Sequence, residues 1–201
     1  MEMMITLKTI SDSRQYPQLV KWYYQANPIS YELGYGRFAN KIITAQLANQ
    51  SPLMRNNFLQ GIFIHEKLVG FLITYPTDKS RQIDQKSYEF LKRHMSRLSY
   101  LRKIRFYQKV AQILNIALAE DSYYLHSLVI DPAYQGQGIG TAVIKKLLSR
   151  YEKLSLYVND QNTRAVQFYL KNGFKIVHHG QIRYQNIFYG EYLMHHEVNI
   201  K

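Results

Sequence analysis

Apolar residues recur along this chain with two different periods, and the switches between them mark its elements. Residues 3–10 alternate like a half-buried strand, and Asp12 or Ser13 stands where a helix reaching to about Ala26 needs its N-terminal cap. Asn27 to Gly36 reads as a loop, and a second helix follows to about Asn49. Phe58 to His65 and Leu68 to Tyr75 are β-rich runs joined by His65-Glu66-Lys67, which predicts a hairpin. Across 78–121 the period becomes helical. Leu101, Ile104, Tyr107, Val110, Ala111, Leu114, Ala117 and Leu118 share a face, so one or two amphipathic helices are expected. Tyr123 to Ile130 is a strand, Gly138 to Tyr151 a helix, and Lys153 to Val158 a strand. Asn162 to Asn172 is a helix stopped by Gly173, and Phe174 to His179 with Asn186 to His195 form a last strand pair. The order is mixed α+β, with strand and helix alternating in the second half.

Composition narrows the picture. At 201 residues, 46% hydrophobic and 20% charged, the chain fits one domain over 1–201 with a substantial core. It has no cysteine, which excludes disulfides, thiolate metal sites and a cysteine nucleophile and fits a reducing compartment. No stretch is long and apolar enough to span a bilayer and the first residues do not form a secretory signal, so the expectation is a cytoplasmic protein without membrane partners. A formal net charge of +12 favours anionic partners without choosing among them.

The most informative stretch runs from the strand Leu128-Val129-Ile130 through Asp131-Pro132 into Gln135-Gly136-Gln137-Gly138-Ile139-Gly140-Thr141. A strand, a turn and a glycine-studded helix start present bare backbone N–H groups to a phosphate, and the helix dipole favours the negative charge. The glycine spacing is wrong for a dinucleotide fingerprint and there is no Gly-Lys-Ser/Thr for a Walker loop. Downstream, Asn162, Ala165 and Tyr169 fall on one helix face in the run ending Gly173-Phe174.

These two motifs together resemble the GNAT N-acetyltransferase superfamily. Its Arg/Gln-x-x-Gly-x-Gly/Ala signature is matched by Gln135, Gly138 and Gly140, and its second half by Asn162, Ala165, Tyr169, Gly173 and Phe174. The resemblance is close from Leu125 to Val177 and looser over the first 76 residues. It implies an α/β fold with a central, mostly antiparallel twisted sheet flanked by helices, here with a basic helical insertion over about 78–121 between the third and fourth strands. It also implies acetyl-CoA as acyl donor. The pyrophosphate would lie on the N–H groups from Gln135 to Thr141, and the pantetheine arm would pair with free backbone at Leu128, Val129 and Ile130, where the fourth strand splays from the fifth. Asn162 would bond that arm, its competing role being a helix cap.

Acetyl transfer to an amine needs a deprotonated amine, a polarised carbonyl and a protonated leaving thiolate. By the resemblance Tyr169 is the general acid; an ordinary buried tyrosine is the competing reading. Strand alternation places Tyr124, His126, Leu128 and Ile130 on one face, which makes His126 the candidate base, with an ordinary rim histidine weighed equally and Glu120 and Asp121 as more distant alternatives. The adjacent pairs His178-His179 and His195-His196 point to opposite strand faces, so no metal site is expected. Arg164 and Lys171 are candidates for the coenzyme 3′-phosphate against a solvated helix face. Trp22, Tyr23, Tyr24, Tyr31 and Tyr35 would wall the acceptor site, an arrangement suited to an amine. The segment Lys79 to Lys109 holds ten Lys/Arg and two acids, which reads first as a solvated basic face. A homodimer contact or a nucleic-acid or acidic-protein partner are the alternatives, and nothing in the sequence supports the latter two. The expected function is acetyl transfer from acetyl-CoA to a small-molecule primary amine in a ternary complex. The alternatives are acetylation of a protein amine or aminoacyl-tRNA, and a non-catalytic coenzyme A-binding module.

Overall fold

A computed structural model describes residues 4–10, 12–55, 57–113, 118–119, 121–184 and 186–197. In chain order the elements are β1 (Thr6–Lys8), α1 (Tyr16–Ala26), α2 (Pro28–Tyr35), α3 (Ala39–Ala48), β2 (Leu59–Ile64) and β3 (Lys67–Pro76). There follow α4 (Ser80–His94), α5 (Arg97–Ile113), β4 (Tyr123–Ile130), α6 (Ile139–Leu148), β5 (Lys153–Asn159), α7 (Thr163–Lys171), β6 (Lys175–Tyr184) and β7 (Ile187–Glu197). The strands form one seven-stranded sheet in the order β1-β2-β3-β4-β5-β7-β6. Every neighbouring pair is antiparallel except β4 and β5. Leu114, Ala117 and Glu120, named above, lie outside the described residues.

Two expectations need correction locally. His65 and Glu66 both take positive φ (45° and 64°), making a two-residue hairpin turn, so Lys67 already belongs to β3. Residues 28–35 are helix, not loop. Asn27 caps α2 by accepting from the Ser30 N–H at 3.2 Å, Pro28 occupies the first turn, and Gly36 at φ +58° ends it. The exposed carbonyls at the end of α2 are satisfied from far along the chain. Lys103 Nζ donates to Glu32 and Leu33 at 3.1 and 2.7 Å, and Tyr107 Oη donates to Gly34 at 2.6 Å. A helix this short is marginal by itself; the insertion stabilises it.

Helices cover both sheet faces. On one, Leu19 and Trp22 of α1 and Ile43 and Leu47 of α3 pack on Phe71, Ile73 and Tyr75 of β3. On the same side α5 lays Phe106 and Ile113 against Tyr189 of β7. On the other, Val143, Ile144 and Leu147 of α6 and Val166 of α7 pack on Leu72, Leu125, Leu156 and Met194. The insertion is two amphipathic helices, with Ile83, Leu91 and Phe106 turned inward and Lys86, Lys92, Arg93 and Arg97 outward.

Candidate functional site

The site is a fork in the sheet. β4 and β5 pair only at Tyr123 with Leu154 and Tyr124 with Ser155, and the Ser122 and Ser155 hydroxyls close the crotch at 3.0 Å. Beyond it β4 continues to Ile130 paired with β3 alone, so its other edge offers N–H and C=O groups with no strand partner. Such an edge binds an extended chain as an added strand would.

One mouth of the fork opens between α6 and α7 into a cleft of about 590 Å³. Leu128, Val129, Ile130, Gln135, Gly136, Gly138, Ile139, Gly140, Thr141, Asn162 and Tyr169 line it, so the structure brings together all but one of the proposed donor-site residues. The exception is Gln137, whose side chain folds back to donate to the Ala133 carbonyl at 3.3 Å. Gln135 braces the end of the strand, its Nε2 donating to the Ile130 carbonyl at 2.9 Å. Gly136 and Gly138 stand at φ +80° and +81°, a left-handed conformation strained for other residues, and an added Cβ would touch nothing there. Their glycine requirement is therefore conformational. Gly140 is different: a Cβ would lie 3.0 Å from the Phe168 ring, so this glycine lets α6 and α7 approach. Helix geometry leaves the N–H groups of the first turn of α6 without carbonyl partners, and the first intrahelical bond there is Ala142 to Gly138. Free N–H groups, a dipole and an open strand edge suit a phosphate with a polar arm, which is what coenzyme A presents.

Asn162 does cap α7, accepting from the Ala165 N–H at 3.1 Å, which leaves its amide nitrogen for a ligand. Tyr169 packs edge-on against Phe168 and Phe174, and burial raises its pKa above the ordinary tyrosine value, so the phenol keeps its proton. Gln25, Ala26, Tyr134, Arg164 and Phe168 also line the cleft; Gln25 and Ala26 come from the end of α1, which no motif marks.

The other mouth faces α1 and α2, and here strand alternation misleads. The β3–β4 register slips between Ile73 and Thr74, whose partners are Ser127 and Leu125, so His126 is an extra residue in a β-bulge. Past the bulge the alternation is reset: Leu128 and Ile130 pack towards α6, while Tyr124 and Val129 pack towards α1. His126 is thus on the side of Tyr124, not of Leu128 and Ile130. It contacts the rings of Tyr75 and Tyr124, and its Nδ1 bonds the Ser127 hydroxyl at 2.9 Å. Burial pushes its pKa down to about 4, so the imidazole is neutral near pH 7. Across the fork stand Tyr157 and Asn159 of β5, with Glu191 of β7 opposite Asn159. Tyr31 of α2 continues the aromatic wall from Tyr23 at a 5.0 Å ring separation, and Tyr35 follows Tyr31 at 5.8 Å. Trp22 is a core residue at 2% exposure and Tyr24 bonds Glu32, so the wall is smaller than the sequence suggests. Among the described residues no three His, Cys, Asp or Glu come together to hold a metal, and no helix is long and apolar enough to cross a membrane.

Residues 17–174 match the acetyltransferase (GNAT) family. Over 59 residues the chain is 41% identical to the peptidyl-lysine N-acetyltransferase YjaB of Salmonella typhimurium, covering 29% of this chain and 41% of that protein. The chain therefore spans less than half the length of the curated relatives it matches. In structure it is similar to an N-acetyltransferase from Staphylococcus aureus Mu50, at TM-score 0.63 and 18% identity over 94% of this chain and 99% of that one. A GNAT family acetyltransferase from Elizabethkingia anophelis with acetyl-CoA bound aligns at TM-score 0.52 and 14% identity, covering 96% and 98%.

Proposed function

We propose, since this chain belongs to the acetyltransferase (GNAT) family, that it transfers an acetyl group from acetyl-CoA to the primary amine of a small molecule by direct attack in a ternary complex. The observation that carries this reading is the fork. One gap in the sheet borders both faces, with the glycine turn on one side and the aromatic residues of α1 and α2 on the other. Donor and acceptor can meet through it without leaving the protein, which is the arrangement direct transfer requires.

Bound acetyl-CoA supplies an activated thioester. Gln135 to Thr141 hold phosphate through backbone N–H groups, the free edge at Leu128 to Ile130 aligns the arm, and Asn162 adds a side-chain bond. A β4 N–H near Leu128 polarises the reacting carbonyl. Tyr169 gives its proton to the departing sulfur. His126, neutral and fixed by Ser127, sits at the acceptor mouth as a hydrogen-bonding group; a conjugate-acid pKa of about 4 makes it a weak base. A peptide lysine is the second reading, favoured by the activity named for YjaB.

The test is thiol release from acetyl-CoA across a panel of small amines and lysine peptides. Release that depends on the small amine is expected. Release with lysine peptides alone would favour the second reading, and tight coenzyme A binding without release to any amine would leave a binding module.

A further inference from the structure

The chain is poor in acid, with 14 Asp and Glu against 26 Lys and Arg, yet Glu191 stands on the sheet face that carries the aromatic wall. Glu191 of β7 pairs with Asn159 of β5, on the sheet face that carries Tyr157 and the α2 side of the molecule. Its carboxylate accepts from the Tyr189 hydroxyl, which in turn bonds Ser30 Oγ of α2 at 2.7 Å. Glu191 is half-buried. The groups facing it are Tyr189 on its own strand, Tyr124 of β4, Tyr157 of β5 and Asp160 after β5. Tyr31 of α2 faces Tyr189, and α5 contributes the apolar Phe106. None of these is a cation, and Asp160 is itself bonded to His179 of β6 at 2.9 Å.

We propose that Glu191 is the proton acceptor and counter-ion for the incoming amine, held in place by Tyr189 and Ser30, and that the acceptor is an alkyl ammonium without a carboxylate. This rests on the amine-transfer reading above. A charged site with no internal counter-ion in a tyrosine-walled mouth is complementary to a cation and repels an anion. The chemistry balances. Glu191 takes one proton from the ammonium, and the neutral nitrogen forms the N–C bond while the C–S bond breaks. The second amine proton offsets the one that Tyr169 gives the sulfur, so one proton leaves through Glu191 to water. Burial raises the Glu191 pKa to about 7, well matched to a base acting at neutral pH. His126, at about 4, is not matched.

The experiment compares propylamine and glycine as acceptors with acetyl-CoA, across pH 5.5–9. Wild type should prefer them in that order, with a rising limb in kcat/KM near pH 7. Glu191→Gln should lose roughly 100-fold or more in kcat/KM and lose the limb, with coenzyme A affinity retained as the check of folding. Glu191→Asp should recover part of the rate. Tyr189→Phe removes a bond that favours the carboxylate, so the limb should move to higher pH, which a merely structural tyrosine would not cause. An unaltered limb and rate in Glu191→Gln, or glycine preferred over propylamine, overturns the inference while amine transfer stands. If wild type transfers to no amine at all, both fall, and the two failures are told apart by that control.

Discussion

The two mouths of the β4–β5 fork are built by different rules. The α6–α7 mouth is made largely of backbone: left-handed glycines, a helix start and an unpaired strand edge. The α1–α2 mouth is made of side chains from distant segments, with Tyr31 on α2, His126 on a bulge, Tyr157 on β5 and Glu191 on β7. Backbone recognition needs glycines at fixed spacing and leaves a compact motif. Side-chain recognition needs only that a few residues converge, and it leaves none. A backbone site of this kind can be shared across a family, whereas a side-chain site of this kind is particular to one chain.

The sharpest way to separate the mouths is to damage each alone. Tyr169→Phe should lower kcat by roughly 100-fold or more with coenzyme A affinity little changed, read by steady-state kinetics and calorimetric titration. An unchanged kcat would remove Tyr169 from the chemistry. Gly138→Val forces a branched side chain to φ +81°, a strain of about 1–2 kcal/mol or more, so coenzyme A binding should weaken by roughly 10-fold or beyond. Normal affinity in a folded variant would contradict the phosphate cradle.

These contrasts follow how legible each region is in the sequence. The strand Tyr123 to Ile130, the helix after the glycine turn and the helix capped by Asn162 are local: period, cap and stop lie within a few residues. Helix α2 was hidden because its carbonyls are satisfied by Lys103 and Tyr107, about seventy residues on, though Asn27-Pro28 and Gly36 were a readable pair of end signals. The His126 face was misread because one bulged residue reverses the alternation and leaves no mark in the strand's apolar pattern. Glu191, the proposed base, belongs to no motif; its only signal is a lone acid between Tyr189 and Tyr192 in a basic chain.

Smaller effects should refine the picture. His126→Asn should lower the transfer rate by less than ~10-fold and leave the pH profile above pH 6 unchanged, since the imidazole is already neutral there. It should also act on stability. With the folded pKa depressed from 6.5 to about 4, wild type loses stability as pH falls from 6.5 through 4, because the unfolded chain takes up the proton first. The variant should show a flatter Tm over that range; parallel curves would deny the burial of His126. Gly140→Ala presses a methyl group on Phe168 at 3.0 Å and should lower Tm by a few degrees, with coenzyme A affinity changed less than in Gly138→Val.

The division of labour between the mouths can be read directly by amide hydrogen exchange with and without coenzyme A. The backbone N–H groups at 128–130 and 136–141 should gain strong protection, while 27–35 and 187–197 change little. Protection confined to the α2 and β7 segments, or none at the glycine turn, would contradict the assignment of the donor to backbone on one side of the fork and the acceptor to side chains on the other.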